Sequence, residues 1–96
     1  MKVLAIIDVA ASVEIESVVR RLDDEVRDSW HLFSAGVLRE AYMTQTPTRA
    51  VFILEATDRE RAEEHLRTLP LIAEGLLKCE LVELRPFVNW SKLFRQ

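Results

Sequence analysis

Residues 69–87, LPLIAEGLLKCELVELRPF, decide the fold of this chain. Pro70 cannot continue a helix without disruption, because it lacks a backbone N–H and its ring crowds the preceding turn. Gly75 permits a turn, and the apolar and charged residues after it predict a last strand over 76–85. Pro86 then stops the strand. The segment therefore predicts the end of a helix, a turn and a strand, in that order.

The first third of the chain predicts a strand followed by a long helix. Residues 2–9 are mostly apolar and β-branched, which is typical of a central strand buried on both faces. Residues 13–35 change to a helical period, with Ser12 as the predicted N-cap and Gly36 as the left-handed end. We expect the apolar stripe of this helix to cover the sheet; it comprises Ile15, Val18, Val19, Leu22, Val26, Trp30 and Phe33.

The middle of the chain predicts a hairpin and a second helix. Residues 37–44 and 49–56 read as antiparallel strands joined by a turn at 45–48. Thr57 and Glu60 match a capping box at the start of a helix. The inner face of this helix is predicted to carry Ala62, Leu66 and Leu69. The element order β-α-β-β-α-β predicts an α+β, ferredoxin-like domain over residues 1–86, with a four-stranded antiparallel sheet and two helices on one face.

The sheet face without helices and the C-terminal tail both predict self-association. Strands two and three keep apolar residues on either face, and a large apolar sheet face is costly in water. The simplest cover is a second copy of the chain, sheet against sheet. The tail, residues 87–96, carries several large apolar residues after the fold is complete. We expect it to dock on a partner subunit of a homodimer or higher homo-oligomer.

Composition and charge exclude several classes of function. The net charge is −3 with both signs interspersed, and no basic stripe predicts nucleic-acid binding. The N-terminal apolar run ends at Asp8, too short for a signal or membrane segment, so a cytoplasmic protein is expected. Cys79 is interpreted as a small buried side chain rather than a reactive thiol. His31 and His65 have no ligands at metal-binding spacing, so we expect no metal. The sequence has no glycine-rich nucleotide-binding motif, so we expect no cofactor.

Three short motifs resemble the muconolactone isomerase and YCII-related families: GVLR at 36–39, LPL at 69–71 and LRPF at 84–87. The resemblance implies a dimeric α/β barrel with ligand pockets beside or between the subunits. It also implies cofactor-independent isomerase or cyclase chemistry. YCII-type proteins typically place a histidine early in the first helix, and Glu25 falls near that position here. The second strand matches the muconolactone isomerases only at Arg39, so activity on muconolactone itself is not supported.

Polar residues on two strands are the candidate site. Glu40, Tyr42 and Glu80 are candidate proton-handling groups, and Arg39 is the candidate anchor for a carboxylate. Lys78 shares a strand face with Glu80 and would line the same pocket. A flat ligand would lie against Trp30. The alternative interpretations are cross-strand pairs for Arg39, Glu40 and Tyr42, a salt-bridge network at the dimer seam for Lys78 and Glu80, and a core position for Trp30.

These observations lead to two hypotheses for the function. The first is a cofactor-independent enzyme that performs isomerase- or cyclase-type acid–base chemistry on a small unsaturated acid or lactone. The alternative is a non-catalytic ligand-binding or assembly module with the same dimeric barrel. A third possibility is an accessory role within a larger enzyme.

Overall fold

The computed structural model of the protein describes residues 1–95. Its strands are β1 (Lys2–Val9), β2 (Leu38–Met43), β3 (Ala50–Glu55) and β4 (Leu77–Leu84). Its α-helices are α1 (Ile15–Arg20), α2 (Leu22–Ser34), α3 (Arg59–Leu66) and α4 (Pro70–Ala73), and a C-terminal 3₁₀ helix spans Val88–Phe94. Over these residues no helix has the length and apolar character needed to cross a membrane.

The four strands form one antiparallel sheet in the order β2-β3-β1-β4. This is the predicted ferredoxin-like arrangement, with β1 in the interior of the sheet. Along β1, Val3, Ala5 and Ile7 are buried beneath the helices, whereas Leu4 and Ile6 are only half-buried on the other face. The helices therefore cover one side of the sheet, called the inner face below. The other side is the outer face.

The core lies between the inner face and the helices. The largest fully buried side chains are Val3, Leu54, Leu66, Leu69 and Leu71. The predicted inner residues of α3 are confirmed, because Ala62, Leu66 and Leu69 are all buried. Pro70 redirects the chain into α4 and occupies its first turn, where a missing N–H breaks no helical hydrogen bond.

The predicted helix ends are correct at the glycine and wrong at both caps. Gly36 has a φ of +79°, as expected for the left-handed end of α2. Ser12 is not an N-cap: it takes a φ of +66° in the turn before α1, which starts at Ile15. Asp58 caps α3 by accepting a hydrogen bond from the Arg61 N–H at 2.8 Å. The cap is therefore Asp58 and not Thr57, one residue later than predicted. The type of interaction is unchanged, because both side chains accept hydrogen bonds from backbone N–H groups.

The predicted single helix over 13–35 is two helices. The chain departs from helical geometry at Arg21, with a φ of −111°, which separates α1 from α2. Arg21 also forms ion pairs with Asp24 in α2 and with Glu74 at the end of α4. Through these ion pairs, Arg21 connects the break between α1 and α2 to the end of α4.

The apolar stripe of α1 and α2 is exposed, contrary to the prediction. Only Val18 of the predicted stripe is buried, and its other six residues are 43 to 62% exposed. The side that packs on the sheet instead carries Val18, Glu25 and Leu32, each seven residues or about two turns apart. Trp30 is 62% exposed and stacks on Phe33 at a ring distance of 5.2 Å, so the core position considered for it is wrong.

Substituting Gly36 with alanine should lower the free energy of unfolding by about 1–2 kcal/mol, the usual penalty for a left-handed non-glycine residue. No heavy atom lies within 4 Å of an added Cβ, so the loss reflects backbone strain alone. Urea denaturation of Gly36→Ala beside Ser34→Ala, an exposed helical control, measures it. Equal stability of the two variants would contradict the left-handed end of α2.

Candidate active site between the helices and the sheet

A cavity of about 440 Å³ lies between the α1–α2 layer and one end of the inner face. Its walls come from α1, α2 and all four strands, and most of its lining is apolar. The lining residues are Ile7, Val9, Ile15, Val18, Val19, Leu22, Glu25, Val26, Ser29, Met43, Thr48, Arg49, Ala50, Phe52 and Leu77. A volume of this size is within the range that small organic ligands occupy.

Glu25 is the one carboxylate on the wall of this cavity. It lies in the first turn of α2 and is only 9% exposed. Its Oε1 accepts a hydrogen bond of 2.9 Å from the backbone N–H of Leu71, near the start of α4. A buried carboxylate without a donor is strongly destabilising, so this hydrogen bond is what allows an acid at this position.

The second carboxylate oxygen of Glu25 makes no hydrogen bond to the described residues. Among residues 1–95, Glu25 makes its one side-chain hydrogen bond through Oε1. Within the same residues, every fully enclosed side-chain oxygen or nitrogen has a partner. Oε2 is therefore not sealed inside protein. Because Glu25 lines the cavity, its carboxyl group is the acid–base group of the cavity wall.

The surroundings of Glu25 favour its protonated form. Burial raises the pKa of Glu25 above its ordinary value, the Leu71 N–H partly opposes that shift, and the charge of Asp28 adds to it. Burial also raises the pKa of Cys79 to about 11, with a further contribution from Glu25. Cys79 is therefore a protonated, half-buried thiol, consistent with the unreactive role predicted for it.

Arg49 and Thr48 line the strand end of the cavity. The Arg49 Nε donates to Asp8 Oδ2 at 3.2 Å, and the Thr48 hydroxyl donates to the Gln45 carbonyl at 3.1 Å. Asp8 and Arg49 also line the groove on the outer face, so the Arg49 guanidinium is held by its ion pair with Asp8 on that side of the sheet.

The structure places the predicted residues Glu40 and Tyr42 together on the outer face of β2. The Tyr42 hydroxyl donates to Glu40 Oε1, and this hydrogen bond raises the pKa of Tyr42. Arg39 lies at an irregularity between Leu38 and Glu40, and its Nε donates to the Gly36 carbonyl at 2.6 Å. None of the three lines the helix–sheet cavity.

Lys78 and Glu80 share one face of β4, as predicted, and the register with β1 makes it the outer face. They line a shallow groove of about 250 Å³ with Asp8 and Arg49. Tyr42 and Glu80 occupy one row across the sheet, because Tyr42 pairs with Val51, and Ile6 pairs with both Val51 and Glu80. Three strand spacings separate them, about 14 Å. The two predicted halves of the site therefore do not converge within one chain.

Trp30 lines neither the helix–sheet cavity nor the groove on the outer face. Over residues 1–95, no group of three His, Cys, Asp or Glu side chains is arranged to hold a metal ion. The sequence analysis did not identify the apolar walls of the cavity or Arg49. It noted Glu25 only because its distance from Gly36 matches that of the family histidine. A clearer indication was available, because Glu25 is an acid seven residues from both Val18 and Leu32 and so lies on the same side of the helix.

Comparison with known proteins places the fold. No protein-family model and no curated protein sequence matches the chain. Among solved structures the chain is similar to a protein with the dimeric α/β-barrel fold, which supports the fold resemblance seen in the sequence.

That protein is 5-chloro-2-hydroxyhydroquinone dehydrochlorinase from Burkholderia phenoliruptrix AC1100, in complex with 2,5-dihydroxybenzoquinone. The TM-score is 0.65, and the match covers 93% of this chain and 98% of that chain. The sequence identity is 14%, so the similarity is one of fold.

The Glu25→Gln variant should change how stability depends on pH. Because the folded protein raises the pKa of Glu25, the native state holds this proton more tightly than the unfolded chain, and the free energy of unfolding falls as pH rises from the unfolded pKa through the folded one. An amide cannot ionise, and its oxygen can still accept from Leu71. Urea denaturation from acidic to neutral pH should therefore give a flatter profile for Glu25→Gln. The exposed control Glu16→Gln should keep the wild-type profile, and identical profiles for all three proteins would refute the assignment.

Proposed function

We propose that the protein is a cofactor-independent enzyme that moves a proton within a small unsaturated ligand held in the helix–sheet cavity. The observation that carries this proposal is Glu25, a buried acid that lines the cavity and has one oxygen anchored by the Leu71 N–H. Enzymes commonly raise the pKa of such a carboxyl by burial, so that it can take and return a proton near neutral pH. A cytoplasmic location stays a prediction from the sequence.

The cavity suits a flat, mostly apolar ligand with one oxo group. Phe52, Leu22 and Val26 offer apolar walls, and the Glu25 carboxyl group can donate a hydrogen bond in its protonated form. The structural neighbour was solved with 2,5-dihydroxybenzoquinone, a flat unsaturated ring that bears oxygen substituents. We infer the same broad class here: unsaturated acids, lactones and hydroxyquinones.

The proposed chemistry is a proton shift without a metal or an organic cofactor. The Glu25 carboxylate takes a proton from a carbon next to a carbonyl, and the electron pair moves into the conjugated system. The negative charge that results is spread over the conjugated system of the ligand. Glu25 then returns the proton to a different carbon, so that the double bond has moved and the Glu25 carboxylate is regenerated.

We also propose that two copies pair through their outer faces. The centre of that face is apolar and half-buried to exposed, and comprises Leu4, Ile6, Val51, Ile53, Val82 and Leu84. Toward one end of the outer face lies the groove with charged residues of both signs, Asp8, Arg49, Lys78 and Glu80. A two-fold interface brings the same patch against itself, and a patch with both signs is self-complementary.

The Glu25→Gln variant should lose proton transfer and keep ligand binding. We expect incorporation of solvent deuterium into ligands of the proposed class, followed by NMR, to fall about 100-fold or more when the base is removed. The affinity for 2,5-dihydroxybenzoquinone, measured by titration calorimetry, should stay close to that of the wild type. Glu16→Gln, on the exposed side of α1, is the matched control.

The same assay separates this site from the one predicted on the outer face. Tyr42→Phe, Glu80→Gln and Arg39→Ala should each keep deuterium incorporation if the helix–sheet cavity is the site. A loss in any of these variants with full activity in Glu25→Gln would move the chemistry to Glu40, Tyr42, Glu80, Arg39 and Lys78. Binding without exchange in the wild type would favour the alternative of a non-catalytic ligand-binding module.

Val82→Glu should dissociate the proposed pair. Val82 lies on the outer face beside Leu4, and a carboxylate there replaces an apolar contact with a buried charge in each copy. We expect the dimer Kd to rise about 100-fold or more. Light scattering across a dilution series measures this, with Thr57→Glu in an exposed loop as the control. An unchanged molar mass for Val82→Glu would rule out the outer face as the interface.

A further inference from the structure

Besides the outer face, residues 1–95 present two exposed apolar surfaces. The first is the helix stripe, formed by Ile15, Val19, Leu22, Val26, Trp30 and Phe33, 43 to 62% exposed. The second is the tail surface, formed by Phe87, Val88, Trp90, Leu93 and Phe94, 60 to 81% exposed. Within the tail, Phe87 packs edge-on against Trp90 at 5.4 Å. Apolar patches of this kind mark contact sites with other molecules.

The helix stripe borders the mouth of the helix–sheet cavity. Ile15, Val19, Leu22 and Val26 line the cavity and are exposed at the same time. Met43, across the cavity on β2, is 67% exposed. The cavity is therefore open to solvent along an apolar rim, and a segment laid on the stripe closes it.

We propose that the tail of a second copy of this chain lies along the helix stripe and closes the cavity mouth. The proposal rests on the two surfaces and on the path of β4, and it stands whether or not Glu25 moves a proton. If the proposed chemistry holds, the partner's tail completes the active site by excluding water from it.

Charge complementarity favours the tail as the occupant. Residues 85–95 contain three basic residues, Arg85, Lys92 and Arg95, and no acidic one. Residues 14–33, which carry the stripe, contain six acidic residues, of which only Glu25 is buried, and three basic residues. An apolar tail with basic residues thus matches an apolar stripe with an acidic border.

The lengths also agree. Seven residues of 3₁₀ helix, from Val88 to Phe94, extend about 14 Å at 2.0 Å per residue. The part of the stripe that borders the cavity, from Ile15 to Val26, covers twelve residues, about 18 Å at the α-helical rise. One tail therefore spans most of the mouth.

The path of β4 shows why the tail must come from another copy. Leu77, at the start of β4, lines the cavity, and Leu84, at the end of β4, pairs with Lys2 at the far end of the sheet. The seven steps between them extend about 24 Å. The chain runs away from its own cavity before the tail begins, so its own tail leaves in the opposite direction.

The two tryptophans of the chain report on this contact, because Trp30 lies on the helix stripe and Trp90 on the tail. In the Trp90→Phe protein, which keeps an apolar tail, Trp30 is the sole tryptophan. Acrylamide quenching then measures how accessible Trp30 is, and light scattering on the same samples gives the molar mass.

We expect Trp30 to be shielded when the protein is associated and accessible after dilution to monomer. Adding Leu93→Asp should expose Trp30 and weaken tail-mediated association about tenfold or more, because an exposed tail contact is replaced by a charge. Leu93→Met, which keeps the apolar contact, should restore the shielding. Leu93 is 77% exposed within one chain, so neither change affects folding.

Two results would overturn the proposal. Equal quenching of Trp30 with and without Leu93→Asp, at a concentration where the mass is that of a dimer, would mean that the stripe has another occupant. Shielding of Trp30 that persists at monomer mass would mean that the chain's own tail covers it. Glu25→Gln should leave the shielding unchanged, so a failure of the proposed chemistry is read separately.

Discussion

The hydrogen bond between the Leu71 amide and Glu25 determines which side of α2 faces the sheet. A carboxylate is tolerated in a protein interior only where a donor meets it, and the first turn of α4 supplies that donor. With Glu25 held inward, Val18 and Leu32 lie on the same side and pack on the core. The apolar stripe is then rotated toward solvent. The orientation of one helix thus accounts for the buried acid, the cavity and the exposed stripe together.

This arrangement gives up stability that a fully apolar packing would supply. A leucine in place of Glu25 and a stripe turned inward would bury more apolar surface and leave no acid in the core. The fold keeps instead an acid whose ionised form is disfavoured, beside a cavity with apolar walls. Destabilising arrangements of this kind concentrate at functional sites, where the strain of holding a reactive group serves the reaction.

The sheet was predictable from the sequence because its signals are local. The alternation along residues 76–85, the hairpin and the glycines at 36 and 75 depend on near neighbours, and the structure follows them closely. The rotation of α2 was not predictable in this way. It depends on a contact between residues 46 positions apart, and the stripe by itself indicated the opposite face. Likewise, the alternation of side chains along a strand correctly predicted that Glu40 shares a face with Tyr42, and Lys78 with Glu80. Only the strand order shows that β2 and β4 lie at opposite edges of the sheet.

The separation of the tail and the cavity at opposite ends of β4 gives each chain a direction. In the proposed contact, every copy offers its tail at one end and its helix stripe at the other. If each tail binds the stripe of the next copy, one tail and one stripe stay free, and the assembly can continue into a filament. A reciprocal exchange ends after two chains. Pairing through the outer faces about a two-fold axis would impose that reciprocity. The bare side of the sheet would then serve as the element that makes the assembly finite, a task separate from the chemistry proposed for the other side.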